Sequence, residues 1–214
     1  MEMWERVKQR FEDYRIVKLF YGDSGTGKTA AFHWITQECK DMKICLYKTP
    51  AHVLKGVPDY IKVIQNIREA EIGDTIFFDD IALFFLSRAS TSGPNKEISS
   101  YLSICRQSKH NVILSIQSMA LLDKNFFRTK GFTIIQKSTV DSLSTIMQDK
   151  EEWQPGLIKG YQKIKSRAIF PDYFKFYTYI HSENCLVRSG LAKYWTTTIS
   201  EPFREWYRTE TNSI

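Results

Sequence analysis

Short apolar runs alternate with helically spaced apolar positions along the chain, and this alternation predicts an α/β fold. Residues 15–21, 43–48, 75–80, 111–117 and 131–137 are each rich in consecutive apolar side chains, as strands of a parallel sheet buried on both faces are. Between the first two runs the period changes. Ala30, Ala31, Trp34, Ile35 and Cys39 recur at helical spacing, which places a helix from Thr29 to about Lys40. Further helices are expected around residues 3–13 and 95–108, the latter after a loop marked by Gly93 and Pro94, and helical material from Pro50 to Ala70. Strands alternating with helices imply βαβ units and a mostly parallel sheet covered on both faces.

After Pro171 the texture changes. Residues 174–180, a turn at 182–184 and residues 185–188 read as an antiparallel hairpin added to the core. Phe174, Phe176, Thr178 and Ile180 would then share one side of a strand. No linker, repeat or low-complexity tract interrupts the 214 residues. A single domain over 1–214 is therefore expected, with its core at about 15–150 and a C-terminal extension at about 165–214.

Composition narrows the class. A chain of this size with 43% hydrophobic and 14% aromatic residues can bury a core without a disulfide or metal staple. Cys39, Cys45, Cys105 and Cys185 form no C-x-x-C pair, so they read as reduced core thiols in an intracellular, cytoplasmic setting rather than zinc ligands. Residues 1–10 are polar and charged, unlike a signal peptide. The apolar run at 76–86 is interrupted by Asp79 and Asp80 and is too short to span a bilayer. A net charge of +6 is compatible with a polyanionic partner without requiring one.

The densest chemical signal is GDSGTGKT at residues 22–29, a full match to the phosphate-binding pattern G-x-x-x-x-G-K-[ST]. A polyphosphate needs several backbone N–H groups turned toward it, and Gly22, Gly25 and Gly27 provide a loop with little side-chain bulk. Asp23, Ser24 and Thr26 complete the loop. Lys28 would reach the β- and γ-phosphates of a nucleoside triphosphate, with ATP the expected nucleotide, and the Thr29 hydroxyl would ligate Mg²⁺. Strand, loop and helix N-terminus also put the anion on a helix dipole.

Two further elements fit this chemistry. The third strand closes on Asp79 and Asp80. One carboxylate there can hold hydrated Mg²⁺ and the next can polarise the attacking water, so Asp79 is expected on the metal and Asp80 as the base. The fourth strand ends in Gln117, an amide placed to orient water or register the γ-phosphate.

Residues 106–117 (RQSKHNVILSIQ) resemble the arginine-to-glutamine segment of the FtsK/HerA superfamily of DNA-translocating ATPases. Residues 132–147 are similar to the next strand of those proteins and the Ser/Asp-rich turn leading into a helix. The resemblance covers roughly residues 15–150, is patchy over 41–74, and is strongest to the packaging ATPases of double-stranded DNA viruses with an internal membrane, the poxvirus-like lineage. It implies a RecA-like P-loop NTPase fold, a homo-oligomeric ring of five or six subunits, double-stranded DNA as the track, and capsid or vertex proteins as partners. It also implies an arginine supplied to a neighbour's γ-phosphate, a role suited to a permanently charged guanidinium. Arg106 matches the motif position; Arg128 is the second candidate. Residues 88–96 could grip DNA phosphates or form an ordinary surface loop. The aromatic stretch at 170–179 could stack on bases or form a hairpin face. A cellular or plasmid DNA-transfer ATPase and a protein-remodelling ATPase without a DNA track remain the competing readings.

Overall fold

The computed structural model describes residues 3–39, 42–50, 56–80, 100–102, 104, 105, 107–122, 131–202 and 205. Eight strands form one sheet: β1 (Ile16–Tyr21), β2 (Ile44–Tyr47), β3 (Ile61–Ile64), β4 (Thr75–Phe78), β5 (Asn111–Ile116), β6 (Gly131–Gln136), β7 (Tyr177–Ile180) and β8 (Cys185–Arg188). Their spatial order is β3-β2-β4-β5-β1-β6-β7-β8. Pairings among the first six are parallel, whereas β6–β7 and β7–β8 are antiparallel. The fold is thus an α/β P-loop fold, a mostly parallel sheet with an antiparallel C-terminal hairpin. Helices that accompany it among the described residues include α1 (Met3–Glu12), α2 (Lys28–Glu38), α3 (Ser142–Gln148) and α4 (Gln154–Lys165).

Side chains of successive strand residues point to opposite faces, so each central strand feeds two cores. Val17, Leu19 and Tyr21 join Val112, Leu114 and Ile116 on one face, against Ile146 of α3 and Leu157, Tyr161 and Ile164 of α4. Phe20, Phe77, Ile113 and Ile135 occupy the other, against Ala31, Phe32 and Ile35 of α2 and Phe11 of α1. Phe32 stacks on Phe77 with ring centroids 3.8 Å apart, which fixes α2 over β4. Burying a Phe side chain contributes about 1.5–3 kcal/mol. On the first face, α4 presses close to the sheet at Gly160, where a Cβ would lie 2.1 Å from Gln136 Oε1. Lys18 breaks the apolar run of β1 yet is fully buried. Its ammonium donates to the Asp13 carbonyl at 2.6 Å and to Asn111 Oδ1, offsetting the cost of burying charge.

Two sequence expectations need correction. Helical material was expected from Pro50 to Ala70. Within the described residues 56–70, the chain instead forms β3 and then a single 3-10 turn, Ile67–Glu69. Ile61, Val63 and Ile64 are β-branched and pair with β2, and Asn66 forms a capping box with Glu69. Residues 174–176 were expected in a strand with 177–180. They belong to a 3-10 helix, Pro171–Phe176, and the strand begins at Tyr177. Proline at the helix start presets its backbone for that turn, so Phe174 reaches the core from the helix rather than from a strand face. Of the helix expected at 95–108, residues 100–102 and 104 are helical and the rest is only partly described. All four cysteines are buried and stand as thiols rather than disulfides. Among the described residues no helix is long and apolar enough to cross a membrane.

Two histidines, His33 buried and His181 half-buried, give the fold a pH dependence. His33 is fully buried beside the Tyr194 hydroxyl, 2.9 Å from Nδ1. Burial lowers its pKa from the usual 6.5 to about 3, and burial also lowers His181, to about 4. Both stay neutral in the fold while the unfolded chain takes up protons below about pH 6.5. Their contribution is therefore fully present above pH 6.5 and is lost as pH falls toward 4 and then 3. At about 1.4 kcal/mol per pKa unit, the His33 effect is a few kcal/mol. Urea unfolding of wild type and His33→Gln between pH 7 and 4 should show a smaller acid loss in the variant. Equal slopes would remove His33 from this account.

Candidate active site

The sheet order places β4, β5 and β1 side by side, so their C-terminal ends open onto one edge. The chain leaves β1 at Gly22, whose N–H donates to the Ile116 carbonyl at 3.2 Å. A Cβ at Gly22 would sit 2.5 Å from the Lys137 carbonyl oxygen, so no other residue fits without moving β6. Gly27, the N-cap of α2, has a φ of +83°, a left-handed backbone that L side chains rarely adopt. The loop of residues 22–27 therefore wraps the helix N-terminus and leaves Ser24 and Gly25 exposed.

Lys28 is folded back across this loop and buried, its Nζ donating to the carbonyls of Gly22 at 2.7 Å and Asp23 at 2.9 Å. Burial pushes its pKa down, while Asp80, Asp79 and Asp23 pull it up. Thr26 Oγ1 donates to the Asp23 carbonyl at 2.8 Å. The Asp23 carboxylate in turn accepts from the hydroxyl of Ser142, the first residue of α3.

Across the site, Thr29 Oγ1 donates to Asp79 Oδ2 at 2.8 Å. These two oxygens, from the start of α2 and the end of β4, converge on one point. A hydroxyl and a carboxylate are hard oxygen ligands of the kind Mg²⁺ takes, so the pair fits that ion. Asp80 follows with a φ of +46°, an uncommon backbone for a non-glycine residue that turns its side chain off the strand direction. Gln117 Nε2 donates to Asp80 Oδ2 at 2.7 Å. Asp80 Oδ1 is buried and has no hydrogen-bond partner among the described residues. The phosphate loop, Asp79, Asp80 and Gln117 are thus brought together, as their positions in the sequence suggested. Arg106, Arg128 and residues 88–96 lie outside the described residues.

Sequence reasoning missed three supports. Asp149, just after α3, accepts from Ser118 Oγ at 3.0 Å, Met119 N at 3.0 Å and Ala120 N at 2.8 Å. With Ser142 on Asp23, α3 bridges the phosphate loop to the segment after Gln117. Lys137 is buried at the end of β6, its amine donating to the Lys175 carbonyl at 2.6 Å and Ser189 Oγ at 3.1 Å. Burial lowers that amine to about 7. The sequence signal for it is a lysine directly after the apolar run of residues 131–136.

The model of the ATPase family associated with various cellular activities (AAA) matches residues 18–140. The chain belongs to this family. This AAA ATPase is therefore an NTP hydrolase whose family implies ATP binding. Among solved structures it resembles B204, the DNA-packaging ATPase of Sulfolobus turreted icosahedral virus. That match has 12% identity and a TM-score of 0.50, and covers 84% of this chain and 98% of B204. The genome-packaging NTPase B204 of Sulfolobus turreted icosahedral virus 2 with ATP-gammaS matches at 12% identity, TM-score 0.48, over 84% and 98% of the two chains. The N-terminal domain of zonular occludens toxin from Neisseria meningitidis matches at 17% identity, TM-score 0.40, over 59% and 78%. At 12% identity the likeness to B204 of the first virus speaks to fold alone. No curated protein matches the chain.

Proposed function

We propose that this AAA ATPase is an ATP-driven motor of the FtsK/HerA type that moves double-stranded DNA, packaging a viral genome into a preformed capsid. The observation that carries the hydrolytic part is the Asp80 carboxylate. One of its oxygens is held by Gln117 at 2.7 Å and the other is buried with no hydrogen-bond partner among the described residues, beside the Thr29–Asp79 contact. That arrangement suits a base whose free oxygen accepts a proton from water while the amide fixes its orientation. Lys28 would neutralise the β- and γ-phosphates after exchanging its carbonyl partners for phosphate oxygens. Thr29 and Asp79 would hold Mg²⁺, which when bound neutralises phosphate charge. The DNA track is supported by the resemblance of residues 106–117 and 132–147 to translocase segments, and by a fold shared with a viral DNA-packaging ATPase. The site of action in this reading is the host cytoplasm at a capsid vertex.

The catalytic roles separate by mutation. Lys28→Ala should lose nucleotide binding, since phosphate charge is left unpaired. Asp80→Asn should bind ATP near normally and lose turnover by about 10²-fold or more, the lower range for a positioned general base. Parental ATPase rates in purified Asp80→Asn would show that another group takes the proton.

Duplex DNA of unrelated sequences should stimulate hydrolysis, and stimulation should fall steeply with salt as phosphate contacts release counterions. Identical rates with and without DNA at low salt would favour a motor that acts on protein partners.

Arg106 is the proposed arginine acting in trans, with Arg128 next. Arg106→Ala should bind ATP and fail to hydrolyse it; arginine fingers in general contribute roughly 10³–10⁵ in rate. Mixed with Lys28→Ala subunits, it should regain activity at junctions pairing an intact loop with an intact arginine. No recovery in verified mixed assemblies would assign Arg106 to its own subunit and move the test to Arg128.

A further inference from the structure

The ladder that holds β5 stops one residue short of the side chain that reaches Asp80. Ile116 pairs with Tyr21 of β1, and its carbonyl accepts from Gly22 N at 3.2 Å. Gln117 is the first residue past that pairing, and its Nε2 donates to Asp80 Oδ2 at 2.7 Å. A side chain swings with its backbone, so the aim of this amide depends on what fixes the chain beyond residue 117. Held on the strand side only, the amide could pivot away from the carboxylate.

The group that fixes the far side is Asp149, directly after α3 and only 5% exposed. Its Oδ2 accepts from Met119 N at 3.0 Å, and its Oδ1 accepts from Ala120 N at 2.8 Å and Ser118 Oγ at 3.0 Å. Both oxygens are thus engaged by one short stretch, the entry to the 3-10 turn Met119–Leu121. Bonds to an ionised acceptor are the stronger kind. Lys150 follows with its amine on the Leu122 carbonyl at 3.1 Å. Met119 and Leu122 are also buried in the core, but apolar packing is non-directional. The carboxylate supplies the directional contacts. Asparagine would offer one acceptor oxygen where the donors use two, and would turn an NH₂ group toward a backbone N–H.

We propose that Asp149 is a positioning residue for ATP hydrolysis. It fixes the backbone after Gln117, so the amide stays on Asp80 and that carboxylate keeps its orientation toward water. The inference rests on the roles given above to Gln117 and Asp80, and it extends the hydrolytic apparatus to a residue beyond the AAA match at 18–140. Asp149 acts through Gln117, and its contacts are to residues 118–120 rather than to the phosphate loop.

A double-mutant cycle tests it, with kcat normalised to ATP-binding sites counted by calorimetry and folding followed by urea unfolding. Asp149→Asn should lower kcat by about tenfold to 10²-fold, the scale of a small misplacement of a catalytic group, and leave the ATP dissociation constant unchanged. In a Gln117→Ala background the same substitution should cost nothing further, since the group it positions is gone. A purely structural role would lower stability and leave kcat per binding site intact. Ser118→Ala removes one of the three donors and keeps both backbone contacts; it should give a smaller loss of kcat, again only while Gln117 is present. It decides the matter should Asp149→Asn not fold. Parental kcat in folded Asp149→Asn, or an equal loss with and without Gln117 in either variant, would overturn the positioning role while the reading of Gln117 and Asp80 stands. Parental kcat in Gln117→Ala itself would overturn the role of Gln117 and the inference built on it.

Discussion

The approach of Gly22 to the Lys137 carbonyl is the contact on which the functional edge depends. β1 keeps its hydrogen bonds to both neighbours up to its last residue, with Gly22 N bonded to Ile116 O at 3.2 Å and Lys137 N bonded to Tyr21 O at 2.8 Å. The chain must then turn inside the gap between β5 and β6. With a Cβ only 2.5 Å from a backbone oxygen, that gap admits glycine alone. Interiors pack too densely to open by an ångström at low cost. The parallel register of β1 with β5 and β6 therefore dictates where the phosphate loop begins, and with it the direction in which α2 leaves the loop.

From that starting point the acidic side follows from topology. β5 is the strand between β1 and β4, so Gln117 at its end is interposed between the loop and the acidic pair. The φ of +46° at Asp80 turns its carboxylate onto Gln117, while Asp79 keeps its own carboxylate on Thr29. Backbone strain at a non-glycine residue costs of order 1–3 kcal/mol and persists only where surroundings impose it. Here the imposing contacts are two hydrogen bonds from separate elements. α3 adds a brace spanning both sides, through Ser142 on Asp23 and Asp149 on residues 118–120. A shift of the loop at Asp23 is thereby mechanically linked to the segment that follows Gln117.

The parts legible in the sequence were those set by local rules. Continuous apolar runs gave the parallel strands, because burial on both faces favours apolar residues and admits a polar one such as Lys18 only where partners hold it. The loop pattern and the acidic end of β4 were legible because their chemistry tolerates few substitutes. β3 was missed because four residues with Lys62 among them carry too short a signal to distinguish strand from helix. The 3-10 helix at Pro171–Phe176 hid behind an aromatic alternation that mimics a strand. Ser142, Asp149 and Lys137 gave no periodic signal. Ser142 and Lys137 act across 119 and 52 residues of sequence, and Asp149 across about thirty, separations that only a folded chain brings together.

The extension after residue 170 binds these pieces to one another. By pairing with β6, β7 turns what would be a sheet edge into an interior strand. The same segment brings the Lys175 carbonyl and Ser189 over the amine of Lys137. A buried amine without acceptors is costly, so the lysine that supplies the carbonyl against Gly22 is itself stabilised by the extension. Contacts thus run from hairpin to Lys137, from Lys137 to Gly22, and from Gly22 into the loop. The AAA match ends at residue 140, yet a cavity beside the loop is walled by Phe176, Leu191 and Trp195. The recognisable motifs lie at the ends of β1, β4 and β5, whereas the shape around them is set by residues that no motif contains.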